Sequence, residues 1–144
     1  MQLKTLGKFL KTWYPSLIIM IIIFIFSSFP ASKSDEQSGF IINTLTSIFP
    51  ELSNISPLVV IVRKSAHFFE YAVLGFLNAR ALNLSGKNIF HSIWLSMLYS
   101  MTDEFHQIFI SGRSGEFRDI LVDTLGASFG TLVYFLTHRK KLAR

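Results

Sequence analysis

An all-α fold is predicted: a polytopic membrane protein of four transmembrane helices, with an interfacial amphipathic helix between the first and second. Three observations predict it. Half of the 144 residues are hydrophobic and only 16% are charged, well below the roughly 25% of a soluble domain. Several apolar runs approach membrane-crossing length, more than a unit of this size could hide from water. The basic residues sit in short clusters beside those runs, as orientation signals do.

The first run, Trp13 to Phe29, follows Lys4, Lys8 and Lys11 and ends at Ser27, Ser28 and Pro30. A secretory leader would begin the same way. Phe29-Pro30-Ala31 lacks the small residues a signal peptidase needs, so the run is expected to remain as helix one, over 13–29. Its length of about 25 Å crosses a bilayer once the interfacial Trp13 and Tyr14 are counted.

Ser32 to Ser38 is polar and turn-like, after which Phe40, Ile41, Leu45, Ile48 and Phe49 recur at helical spacing. This predicts the amphipathic interfacial helix over 40–49. Ser56 and Pro57 suit the N-cap and first position of helix two, over 57–82. Asn83 to Asn88, with Gly86, reads as a turn before helix three, over 89–110. Ser111 to Gly115 is a tight loop, and helix four follows over 117–137, where His138-Arg139-Lys140-Lys141 stops it. No repeat or low-complexity tract divides the chain, so residues 1–144 form one domain.

Lysine and arginine fix the orientation. The N-terminal arm, the turn bounded by Arg80 and Lys87, and the C-terminal tail carry the basic clusters. Both termini are therefore expected in the cytoplasm of a multi-pass protein of the bacterial cell membrane.

That topology brings three polar groups to one depth near the outer face. Helix two carries Arg63, His67, Glu70 and Leu74 on one stripe, with Lys64 beside it. Helix three ends with Asp103, Glu104, His106 and Gln107; the next loop has Arg113, and helix four begins with Asp119 and Asp123. An ionised side chain in lipid costs about 2.5–3.5 kcal/mol on insertion scales, so these groups must pair with one another, face water or titrate. They form the candidate site: His67, Glu70 and Glu104 as proton-moving candidates, and Arg63, Lys64, Asp103, Gln107, Arg113, Asp119 and Asp123 as ligand-binding candidates.

Other chemistries are excluded or disfavoured. Without cysteine there is no disulfide, thiolate nucleophile or cysteine-ligated metal. No histidine pair has metal-ligand spacing on a helix, and Glu104 and His106 point apart, so no metal is expected. No P-loop or dinucleotide fingerprint calls for a cofactor. The net charge of +5 belongs to topology rather than to nucleic acid. His91 and His138 read as interfacial, Ser27 and Ser28 as capping or back-bonding the end of helix one. Gly126 and Gly130 form a small-residue face for close helix packing.

The polar stretches resemble signatures of the VanZ-like family of bacterial membrane proteins. They are Lys64-x-x-His67-Phe68-x-Glu70-Tyr71-x-x-Leu74-Gly75, Asp103-Glu104-x-x-Gln107-x-Phe109-x-x-Gly112-Arg113 and Asp119-x-x-x-Asp123-x-x-Gly126, preceded by Ser27-Ser28-x-Pro30. One departure is Ser111, where many members carry proline. The resemblance covers the chain from Trp13 to Gly130 and implies a multi-pass fold associated with glycopeptide resistance, since the family is named after a protein that lowers sensitivity to teicoplanin. It supplies no reaction.

Three functions compete. The cluster could handle the headgroup of an envelope lipid, with the cations on phosphate and His67, Glu70 or Glu104 moving protons. It could instead be a non-catalytic accessory site that holds a lipid-linked cell-wall precursor, a lipoglycopeptide tail or a partner protein. Or it is only an interhelical polar lock. A transport role would require a homo-oligomer, because four helices without a repeat make a poor monomeric transporter.

Overall fold

The computed structural model describes residues 2–55 and 57–142. It has five α-helices: α1 (Gln2–Ser27), α2 (Ala31–Ile48), α3 (Leu58–Leu84), α4 (His91–Gln107) and α5 (Phe117–Leu142), with a 3-10 helix at Pro50–Asn54 between α2 and α3. No strand occurs among the described residues.

The described elements are all helical, as the sequence reading has it, but several boundaries differ. Helix one begins at Gln2 and stops at Ser27 rather than Phe29. Pro30 disfavours helical backbone at Phe29 and so enforces the break. Ser32 to Ser38, expected as a turn, is the first half of α2; the backbone N–H groups of Lys33 and Ser34 bond to the Pro30 carbonyl, so the proline that ends one helix starts the next. Pro57 stands at the N-cap of α3 rather than at its first helical position, and the Ser56 cap lies outside the described residues. Helix three is shorter at both ends, His91–Gln107. The basic tail does not stop helix four, since α5 continues to Leu142.

The tightest helix pair is α3 with α5, which run parallel. Glycines permit their close approach: a Cβ on Gly126 would fall on the Phe68 carbonyl oxygen, and one on Gly130 on that of Ala72. Hydrogen bonds set the directions of the others. Asn78 donates to Ser96 across α3 and α4 (3.1 Å), Ser92 pairs with Thr131 across α4 and α5 (2.7 Å), and Tyr99 donates to the Met20 carbonyl across α4 and α1 (2.6 Å). Thus α1 and α4 run one way, α3 and α5 the other.

The distribution of polarity is inverted relative to a water-soluble bundle. Ser92, Ser96, Ser100, Asp123 and Thr131 are wholly buried. Outside lie Ile18, Ile21 and Phe24 of α1, Phe69 and Val73 of α3, Trp94, Leu98 and Phe105 of α4, and Leu121, Leu125 and Phe129 of α5. Among the described residues, Phe9–Ser27 and Phe117–Arg139 are long and apolar enough to cross a membrane.

Candidate functional site

The polar cluster forms where the end of α1, the starts of α2, α3 and α5, and the end of α4 meet. Its backbone frame is a clamp between two corners: Ala31 N–H donates to the Ser111 carbonyl (3.2 Å), joining the α1–α2 corner to the α4–α5 loop. Gly112 adopts φ +74° in that loop, a conformation glycine takes without strain.

Helical spacing on α3 and α5 places two contacts between a basic and an acidic side chain one turn apart. Lys64 pairs with Asp119, and His67 Nδ1 stands 3.5 Å from Asp123 Oδ1. The other oxygen of Asp123 accepts from Ser100 at 2.6 Å. On α4, Asp103 Oδ2 accepts from Ser27 (2.8 Å) and from Gln107 Nε2 (3.0 Å). Gln107 Oε1 in turn accepts from Arg113 Nη1 at 3.2 Å.

Arg113 thus has a role its sequence position did not reveal. Its Nε donates to the Phe29 carbonyl at 2.9 Å, and its Nη2 stands 3.5 Å from the Phe26 carbonyl. The guanidinium closes the C-terminal end of α1, where carbonyl oxygens and the helix dipole favour a cation. Burial, and next the nearby Arg63, lower its pKa; it remains a cation at neutral pH. Glu104 turns toward the backbone as well, its Oε2 accepting from Glu116 N–H at 2.8 Å just before α5 begins.

Two cavities adjoin these groups. The larger, about 140 Å³, lies under α2 and is lined by Ser34, Gln37, Ser38, Arg63, His67 and Glu70 among others. A smaller one of about 50 Å³ touches Arg63, His67, Gln107, Arg113 and Asp119. Arg63 borders both, and its nearest carboxylate is Asp35 at 4.0 Å. Asp103 Oδ1, Glu104 Oε1 and Asp123 Oδ1 are buried without a hydrogen-bond donor among the described residues. Buried acceptors left without a donor are costly.

All ten candidates read from the sequence therefore gather at one end of the bundle, but they divide. Arg63, His67 and Glu70 line the larger cavity; Lys64, Asp103, Gln107, Arg113 and Asp119 are committed to partners; Glu104 and Asp123 stand behind. His106 faces away, stacked on Phe24 with ring centroids 4.5 Å apart. Ser28 back-bonds to the Phe24 carbonyl as expected, whereas Ser27 does not cap its helix but binds Asp103. Sequence reasoning also missed Ser100 and the inner face of α2. The four-residue spacing of Ser92, Ser96 and Ser100, leading into Asp103 and Gln107, was the available signal for the first.

A family model described as VanZ/LLP1 matches residues 12–138. No curated protein and no solved structure matches the chain. The matched region contains every residue of the cluster, the clamp between the two corners and the glycine-packed helix pair. By that match, the chain belongs to the VanZ/LLP1 family.

Proposed function

We propose that the chain is a multi-pass protein of the bacterial cell membrane with both termini cytoplasmic, and that its polar cluster is an outward-facing binding site for the anionic headgroup of an envelope lipid. The inverted polarity of the bundle supports the membrane reading: apolar side chains outside and hydrogen-bonded serines inside suit a hydrocarbon solvent.

The observation that carries the ligand class is the position of Arg63. It lines both cavities with its nearest carboxylate 4.0 Å away, whereas Lys64 is paired with Asp119 and Arg113 with α1. A guanidinium with donors to spare matches phosphate geometry. A cavity of about 140 Å³ suits a headgroup, with the acyl or polyprenyl chain outside along the apolar helices. His67 and Glu70, in the same wall, are the groups placed to move a proton if a bond is broken.

For the other half of the cluster a structural reading is favoured. Ser27, Asp103, Gln107 and Arg113 form a chain of bonds ending on the Phe29 carbonyl, which is an interhelical lock. The family resemblance adds lipid-linked wall precursors and acylated glycopeptides such as teicoplanin to the ligands worth testing.

Purified protein in nanodiscs, offered undecaprenyl-linked and phospholipid headgroups, tests the reading. Binding should weaken at least tenfold in Arg63→Gln, about the 1.5–3 kcal/mol of a charged hydrogen bond. Product that disappears in His67→Gln while binding persists would make the site catalytic. Unchanged binding in a folded Arg63→Gln protein would sink the headgroup proposal.

A further inference from the structure

The opposite end of the bundle holds a third and larger opening. It is a groove of about 570 Å³ between α1 and α4, lined by Trp13, Leu82, Lys87, His91, Trp94 and Leu95 among others. The chain has two tryptophans, and both line it. We infer that this groove is a binding site for an anionic glycerophospholipid, with its phosphate at Lys87 and His91 and an acyl chain between Trp13 and Trp94.

Charge argues for the anion. None of the nine Asp and Glu residues lies in residues 1–34, 71–102 or 124–144, the segments that include this end, whereas Lys11, Arg80, Lys87 and Arg139 do. Among the described residues the groove has no carboxylate to compete with a phosphate, and α4 adds the positive end of its dipole at His91.

The backbone that carries Lys87 is fixed in place. At the end of α3, Lys87 N–H donates to the Leu82 carbonyl (2.9 Å) and Gly86 N–H to that of Asn83 (3.0 Å). With Gly86 at φ +67°, this is a Schellman turn. It ties Lys87 to Leu82, so the polar and apolar walls of the groove are joined by the backbone. Asn88 Oδ1 accepts from Phe90 N–H at 2.9 Å and secures the other side of the corner.

Shape and depth argue for a lipid rather than a soluble anion. The groove is mostly apolar and opens beside Trp94, which is 62% exposed. Tryptophans favour the boundary between headgroups and hydrocarbon, and a lysine there reaches phosphate. The inference rests on the reading of the chain as membrane-spanning but not on the outward-facing site.

The tryptophans supply the assay. The full chain is reconstituted in phosphatidylcholine bilayers containing a small fraction of lipid brominated near the glycerol end, as either phosphatidylglycerol or phosphatidylcholine. Brominated phosphatidylglycerol should quench tryptophan fluorescence as though enriched about fivefold over phosphatidylcholine, the preference one lysine gives near an anionic lipid. The excess should vanish in Lys87→Gln, survive in Lys87→Arg, and survive in Arg63→Gln, which separates this site from the outward-facing one. Equal quenching by the two headgroups, or an excess that persists in Lys87→Gln, overturns the inference and leaves the membrane reading intact. No quenching by either lipid overturns both.

Discussion

Asp123 is wholly buried and divides its two oxygens between helices: Oδ2 accepts from Ser100 of α4 at 2.6 Å, while Oδ1 stands 3.5 Å from His67 Nδ1 of α3. It is the point where three helices meet at one carboxyl group. Replacing it with leucine removes the acceptor from Ser100 and the facing carboxyl from His67, and the expected loss is about 3 kcal/mol. Asp123→Asn, which keeps an acceptor for Ser100, should lose less than half as much. Reversible unfolding of both variants in mixed micelles checks the difference.

The glycine contacts between α3 and α5 give a sharper contrast. Gly130→Ala places a methyl group on the Ala72 carbonyl oxygen, and overpacking of this kind costs about 1–3 kcal/mol. A Cβ at Gly39 inside α2 meets nothing within 4 Å. There the alanine variant should gain up to about 1 kcal/mol from helix propensity. Opposite signs in one unfolding assay are the expected result.

Arg113 binds through the geometry of its fork as well as its charge. Arg113→Lys keeps the cation but cannot reach Phe29, Phe26 and Gln107 together, so about 1–2 kcal/mol of stability should be lost. Equal stability of the lysine variant and the parent would show that charge alone holds the corner.

Ser27 and Ser28 are neighbours with different duties. Ser27→Ala deprives Asp103 of a donor and should cost about 1 kcal/mol. Ser28→Ala removes only a bond to its own helix and should change stability by less than about 0.5 kcal/mol. The same unfolding measurement separates them.

Topology is testable because the chain has no cysteine. Ser114→Cys should react with an impermeant thiol reagent from outside intact cells, and Asn88→Cys only after permeabilisation. The reverse pattern would turn the molecule over.

The long helices were legible because apolar runs, proline breaks and the glycine turns at Gly86 and Gly112 leave local marks. α2 was half legible. Phe40, Ile41 and Leu45 showed its period, but Ser32 to Ser38 read as loop because their helix is held by contacts far off in sequence: Ala31 on Ser111, and Asp35 near Arg63. The same limit explains the site. Helical spacing grouped His67 with Glu70 and Asp103 with Gln107, yet it could not tell which cations were committed. Arg63 and Arg113 look alike in sequence, and only the partner at Phe29 distinguishes them. Ser27 was misjudged for a related reason, since serine near a helix end ordinarily serves its own backbone.

The clamp at Ala31 makes α2 a lever with a fixed end. A helix of 18 residues is about 27 Å long, so a tilt of about 10° around that anchor would carry Ile48 roughly 5 Å and hardly displace Asp35. Such a tilt would open the cavity first at the Ile41 and Val62 side, where the wall is apolar, while the Asp35–Arg63 contact stays in place.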